Sequence, residues 1–241
     1  SLIETEVNQI DKVISKIKKK ELQGINVTTP YKQEVIPYLD LVINDAQQTS
    51  SVNTIYLSSD NKIVGENTDV YGFDYSFIEK LERKDLLEKK ILILGAGGVT
   101  PSIIYALFKK NIKKIFISNR SIEKAQIIKK KFPFIEIILW ENINSKSQDV
   151  DIIINATSLG MKNGNDFDQI IKKFKGVLIY YDVIYNPLET TMLKNFKQQE
   201  VKTFNGLEMF LYQGQKSFYL WNRINPEVND ELKKIITDNL K

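Results

Sequence analysis

Two short runs carry the residues best suited to acid–base chemistry: G-I-N-V-T-T-P-Y-K at 24–32 and G-E-N-T-D at 65–69. They place Lys32 and Asp69 on separate turns of a 241-residue chain that has neither histidine nor cysteine. That composition removes the commonest general base, the commonest thiol nucleophile and the usual catalytic zinc ligands. Proton transfer therefore falls to a lysine, a carboxylate or a tyrosine, and no metal site is expected. Each candidate alone has a plainer reading, since most lysines are solvated surface charges and an aspartate is also a good helix N-cap. Their flanks single them out. Asn26, Thr28 and Asn53 (in S-V-N-T) add amide and hydroxyl groups suited to a polyhydroxylated ligand. A free lysine is largely protonated at neutral pH. Paired with an aspartate it titrates as one of a couple, which leaves open which member holds the proton.

A second kind of chemistry is written at Gly95-Ala96-Gly97-Gly98-Val99-Thr100. The run follows an apolar strand pattern and opens a helical one, the context in which glycines let a backbone approach a pyrophosphate at a helix N-terminus. Thr100 stands where the third glycine of G-x-G-x-x-G would fall, and a tight strand-to-helix turn without a ligand is the competing reading. The next strand ends in Ser118-Asn119-Arg120-Ser121. An NAD site normally has an acid there for the ribose 2′-hydroxyl, whereas a cation suits the 2′-phosphate of NADP. Arg120, one of only three arginines, points to NADP; its plainer alternative is a surface pair with Glu123.

The elements that must position these groups follow from periodicity. Alternation of Ile3, Thr5 and Val7 with Glu4 and Glu6 predicts a strand at 2–7. Helical spacing of Ile10, Val13, Ile14 and Ile17 predicts a helix over 9–20. A short strand at 24–27, helical pieces within 33–48 and a hairpin of 52–57 with 62–64 follow. A helix over 69–86, capped by Thr68 or Asp69, closes this part. From Lys89 the pattern alternates strand and helix: strands at 91–94, 114–118, 135–139, 151–154, 178–180 and 201–204, with helices from the glycine run to about 110 and over 121–132 and 188–199. Continuous apolar runs such as Ile91-Leu92-Ile93-Leu94 mark strands buried on both faces of a parallel, doubly wound sheet. Two helices, 206–221 and 226–240, end the chain. The fold class is therefore α/β with two domains: residues 1–86 as an α/β substrate domain, 87–205 as a Rossmann-like dinucleotide-binding domain, and 206–241 as helices that follow it.

Composition excludes several classes. The net charge of +4 comes mostly from scattered lysines, which argues against nucleic acid and membrane partners. No apolar run approaches the roughly 20 residues of a membrane span. The opening S-L-I-E-T-E-V lacks the basic start and apolar stretch of a signal peptide. Zero cysteines fit a reducing cytoplasm.

Eight blocks in order bring these readings together. G-I-N-V-T-T-P-Y-K (24–32), S-V-N-T (51–54), G-E-N-T-D-V-Y-G (65–72) and L-G-A-G-G (94–98) are followed by N-R-S (119–121). I-N-A-T-S-L-G-M (154–161), D-V-I-Y-N-P-L-E-T (182–190) and G-L-E-M-F-L-Y-Q-G (206–214) complete the set. Along essentially its whole length the chain resembles the shikimate dehydrogenase family. The resemblance implies reversible, NADP-dependent reduction of 3-dehydroshikimate to shikimate, in a cleft between the two domains that closes over the reactants. It implies that Lys32 and Asp69 handle the proton at the reacting oxygen, and that Thr28, Asn53, Asp69 and Gln213 hold substrate hydroxyls with Tyr185 nearby. Gly95, Ala96, Gly97, Gly98 and Val99, with Asn119, Arg120, Ser121 and Lys124, would hold the dinucleotide, and Val183 and Gly206 would lie beside the nicotinamide. It also implies that the last helices return to the first domain. The expected partner is a small molecule, and the expected state a monomer or homodimer. Two alternatives stay open: a relative that also takes quinate, with NAD, and a dinucleotide-binding protein without catalysis. Family members normally open with a strand, a Ser-x-Ser turn gripping the substrate carboxylate, and a helix. The present sequence starts at the strand expected after that helix, so the clamp is expected to be missing from the sequence as given. A fragment, a trimmed chain or a divergent protein binding another acid would each account for this, and the intact later blocks favour the first two.

Overall fold

The protein is described by a computed structural model covering residues 2–81, 83–143, 149–161, 167 and 176–240. Two sheets organise it. The first takes β1 (Gly24–Asn26), β2 (Leu41–Val42), β3 (Thr54–Leu57) and β4 (Ile63–Glu66) in the order β1-β3-β4-β2. β3 pairs antiparallel with both β1 and β4, and β2 lies parallel to β4. Strand alternation sends Ile55 to one face and Tyr56 to the other. On the first face Ile55, Val52 and Ile63 pack under Ile10, Ile14 and Ile17 of α1 (Ile10–Lys18), with Ala46 of α2 (Asn44–Thr49). The opposite face holds Tyr56 and Val64 against Leu220 and Trp221, near the end of the chain.

The second sheet is wholly parallel. β5 (Ile91–Leu94), β6 (Ile115–Ser118), β7 (Glu136–Ile137), β8 (Ile152–Asn155), β9 (Ile179–Asp182) and β10 (Lys202–Phe204) run in the order β10-β9-β8-β5-β6-β7. The run at 91–94 is apolar throughout because both faces are covered: Ile91 and Ile93 enter one core cluster and Leu92 and Leu94 the other. α5 (Thr100–Lys109) and α6 (Ile122–Lys131) cover the first face. A helix at Thr191–Gln198, here α7, covers the second with Met192, Leu193 and Phe196. The order reverses between β5 and β8, and such a switch point opens a crevice at the strand C-termini. α8 (Leu207–Asn222) packs along α3 (Asp69–Phe73), and α9 (Asp230–Asn239) follows.

Two expectations need correction. Residues 2–7 form no strand: 2–6 are irregular and Val7–Gln9 is one 3₁₀ turn. Alternation makes a strand only beside a partner, and among the described residues no strand pairs with this segment; Tyr31 instead donates its hydroxyl to the Thr5 carbonyl at 2.6 Å. The helix expected over 69–86 is broken. α3 widens at Asp74–Ile78 into a π turn, and α4 (Arg83–Leu86) is separate. The widened turn lets both Phe73 and Phe77 reach Tyr181, at ring separations of 5.3 and 5.0 Å. Thr68 takes the N-cap position, one of the two expected, but its side chain makes no capping bond; the Val70 N–H donates to the Asn67 side chain at 3.2 Å. Between the helical pieces of 33–48 lies β2, too short to show a period.

Candidate active site

Lys32 lies in the turns after β1, and Asp69 begins α3. Folding brings them together: Lys32 Nζ donates to Asp69 Oδ2 at 2.5 Å, with both side chains largely buried. The second carboxylate oxygen accepts from Asn53 Nδ2 at 2.9 Å. That amide also meets Thr68 Oγ1 at 2.9 Å and, more weakly, Gln213 Oε1 at 3.4 Å. Asn53 is held in turn by the Thr68 N–H, which donates to its Oδ1 at 2.7 Å. Two predicted groups on segments flanking the strands of the first sheet, one on α3 and one on α8 thus form one polar cluster. Beneath it Ser217 of α8 meets Thr54 at 2.7 Å and Thr68 at 3.1 Å. Sequence reasoning passed over Ser217 and took Thr68 only as a helix cap; polarity at a buried position was the one signal of their place in this cluster. Thr28 lies on the exposed turn before Lys32, and its carbonyl accepts from the Tyr31 N–H at 2.9 Å. Asn26 sits apart from the ion pair, its amide donating to Ser217 at 2.9 Å.

The glycine run leaves β5 beside this cluster. Gly95 has φ +108°, and a Cβ there would come within 2.8 Å of the Ala156 carbonyl, so only glycine fits without strain. The Ala96 N–H donates to the Asn119 side chain at 3.0 Å, tying the run to the end of β6. Thr100, at the place of the third glycine, donates its hydroxyl to the Gly95 carbonyl at 3.0 Å and closes the turn from within. Among the described residues the amides of Gly97, Gly98 and Val99 find no acceptor, and a Cβ on Gly97 would meet nothing within 4 Å. Free N–H groups over open space at the start of α5 suit a phosphate group, so the residues present fit a dinucleotide. Arg120 and Lys124 are exposed at the end of β6 and the start of α6. Arg120 does not pair with Glu123, which accepts from the Ser121 hydroxyl at 2.7 Å instead; Asn119 donates to the Ser121 carbonyl at 2.9 Å.

On the other side of the switch point, Gly206 presses on the loop after β9. A Cβ there would lie 2.0 Å from the Val183 carbonyl oxygen, and its N–H donates to the Ile184 carbonyl at 2.9 Å. Tyr185 stacks on Phe210 at 4.4 Å, and burial pushes its hydroxyl pKa up. The loop hangs from Asp182, a fully buried carboxylate that sequence reasoning did not single out. It accepts from Asn155 Nδ2 at 3.0 Å, the Ile184 N–H at 3.0 Å, the Thr190 hydroxyl at 2.8 Å and the Tyr180 hydroxyl at 3.2 Å. Burial outweighs these donors and pushes its pKa up to about 6.

Among the described residues no group of acidic, histidine or cysteine side chains could hold a metal ion, and no helix is long and apolar enough to cross a membrane. The site thus brings the Lys32–Asp69 ion pair beside the glycine loop, where the elements of the two sheets meet.

Comparison with known proteins agrees with this arrangement. The family described as shikimate / quinate 5-dehydrogenase matches residues 78–180, and the shikimate dehydrogenase substrate binding domain matches residues 1–55. A shikimate dehydrogenase (NADP(+)) of Pelagibacter ubique is 48% identical over 224 residues, covering 93% of this chain and 82% of that protein. Its counterpart in Methanocaldococcus jannaschii is 38% identical over 236 residues, covering 95% and 82%. A crystal structure of a shikimate dehydrogenase in complex with NADP+ superposes with a TM-score of 0.88 at 34% identity, covering 99% of this chain and 84% of that one. That of the Listeria monocytogenes shikimate 5-dehydrogenase, in complex with shikimate and NAD, gives 0.83 at 28% identity, covering 97% and 84%. With both halves matched and relatives this similar over nearly its whole length, the chain belongs to the shikimate dehydrogenase family.

Proposed function

We infer that the protein catalyses the reversible, NADP-dependent reduction of 3-dehydroshikimate to shikimate. The observation that carries this reading is the buried Lys32–Asp69 pair, at 2.5 Å, opposite a glycine loop with free amides. Relatives named shikimate dehydrogenase (NADP(+)) support the same choice of reactants. Residues 1–86 act as the substrate domain, 87–205 as the dinucleotide domain and 206–241 as helices closing back on the first.

Bound NADP supplies the nicotinamide that gives or takes hydride at the ring carbon. The Lys32–Asp69 pair supplies the proton at the reacting oxygen during reduction and recovers it in the reverse direction. Asp69 and Asn53 hold Lys32 Nζ at a fixed point before the substrate arrives, so little reorganisation remains at the moment of transfer. Thr28, Asn53, Asp69 and Gln213 take the substrate hydroxyls, with Tyr185 bounding the site. The amides of Gly97, Gly98 and Val99 take the pyrophosphate, with Gly95 and Ala96 shaping the turn. Asn119, Arg120, Ser121 and Lys124 receive the adenosine end, and the exposed Arg120 guanidinium pairs with the 2′-phosphate. Val183 and Gly206 form the floor beside the nicotinamide. We place the enzyme in the cytoplasm, as a monomer or homodimer.

The test is spectrophotometric: NADPH formation from shikimate and NADP, repeated with quinate and with NAD. Turnover of shikimate with NADP is expected. Tight NADPH binding without turnover of either acid would mark a non-catalytic relative, and preference for quinate with NAD would move the protein to the other branch of its family.

A further inference from the structure

One buried side chain touches both halves of the site without belonging to either set of binding residues. Asn67 is 4% exposed and lies two positions before Asp69. Its Oδ1 accepts from the Val70 N–H at 3.2 Å, at the first turn of the helix that carries Asp69. Its Nδ2 donates in the other direction, to the Ser51 carbonyl at 2.7 Å and to Ser102 Oγ, in the first turn of α5, at 2.9 Å; Thr49 Oγ1 lies at 3.2 Å. Ser51 extends the link, because its hydroxyl donates to the Gly98 carbonyl at 2.9 Å. The neighbouring residues finish the circuit: the Val52 N–H donates to the Lys32 carbonyl at 2.8 Å, and Asn53 holds Asp69.

We propose that Asn67 is a positioning residue for hydride transfer, fixing the spacing between the Lys32–Asp69 pair and the glycine loop through one amide shared by α3, Ser51 and α5. The proposal rests on the function given above. A buried amide must find partners for both its ends, and here they split between the element that carries the acid–base group and the elements that carry the nucleotide loop. A side chain that served packing alone would not need this division. Transfer demands that the substrate carbon and the nicotinamide meet at contact distance, where a misplacement of about 1 Å costs on the order of 100-fold in rate.

The experiment compares the full chain with Asn67→Asp and Asn67→Ala by steady-state kinetics with shikimate and NADP, well below each variant's melting temperature. It adds NADPH affinity by fluorescence and the primary deuterium isotope effect on kcat. Asn67→Asp keeps the acceptor for the Val70 N–H but removes both donors to Ser51 and Ser102. The expected result is kcat lowered about 10–100-fold in both variants, KM and NADPH affinity within about threefold, and a larger isotope effect as hydride transfer becomes limiting. An Asn67→Asp enzyme with the wild-type kcat and isotope effect overturns the proposal, however far its melting temperature has fallen. Should neither variant fold, Ser102→Ala carries the test, since it removes only the arm to α5. A kcat lowered about threefold or more with a raised isotope effect supports the proposal, and an unchanged kcat overturns it. No turnover by the wild-type chain would overturn the proposed function itself and this inference with it.

Discussion

The side chain of Lys32 lies along Gly98: a Cβ on that glycine would meet the lysine Cδ at 3.4 Å and its Cβ at 3.6 Å. The lysine of the buried ion pair therefore lies beside the glycine loop that follows β5.

Replacing Lys32 by alanine removes the amine of the pair and leaves Asp69 with its bond from Asn53. We expect kcat to fall about 10²–10⁴-fold, the usual scale for a lost acid–base group, with the fold retained. Steady-state assay with shikimate and NADP, alongside circular dichroism, checks this. A kcat near wild type would remove Lys32 from the chemistry.

The glycines of the loop should respond differently. Gly95→Ala forces a side chain at φ +108° into the Ala156 carbonyl, and a loss of about 1–3 kcal/mol is expected. Gly97→Ala meets no protein atom within 4 Å, so stability should stay within about 0.5 kcal/mol. Its methyl group would stand over the free amides, however, and NADP should bind about tenfold more weakly, or about 1.4 kcal/mol. Urea titration and NADP isotherms of the two variants decide the matter; equal effects on stability would contradict the geometry.

Arg120 is exposed and pairs with no described acid. Arg120→Ala should raise KM for NADP by about tenfold or more while changing KM for NAD by less than about twofold. Parallel kinetics with the two dinucleotides give the comparison, and matching changes would take the 2′-phosphate away from this residue.

Asp182 predicts a pH dependence of stability. Its pKa in the fold is raised to about 6, from 3.8, because burial disfavours the carboxylate. The folded state therefore binds this proton more tightly than the unfolded chain. The contribution is complete below about pH 4 and is lost as pH rises through about 6, for a total near 3 kcal/mol. Measured by urea unfolding at pH 4.5, 5.5 and 7, the stability of the wild type relative to Asp182→Asn should decline with rising pH. A flat or rising difference would mean that the four donors around the carboxylate outweigh its burial.

Much of this architecture could be read from residue order, for local reasons. Ile91 to Leu94 face two cores at once, so their unbroken apolar run could mean only a strand or helix interior covered on all sides, and the glycines after it selected the strand. Lys32 and Asp69 were legible through the motifs around them. What escaped depends on partners distant in the chain. Asn67 gains meaning only when the antiparallel register of β3 and β4 brings it under Ser51, and Asp182 only when β8 sets Asn155 beside it. The π turn at Asp74–Ile78 keeps a helical rhythm in sequence while answering to Tyr181, 105 residues away from its contact Ser76. The alternation at 2–7 is the reverse case, a local pattern that no described strand completes.

α8 brings Gln213 to Asn53, Ser217 to Thr54 and the Trp221 indole to the Ile55 carbonyl. During synthesis, a ribosome must therefore pass residue 221 before the second face of the first sheet can be covered. The strands of the parallel sheet, all between 91 and 204, emerge before that point. Until then nothing from α8 can cover Tyr56 and Val64. The sheet made first thus gains this cover only after every strand of the parallel sheet has been made.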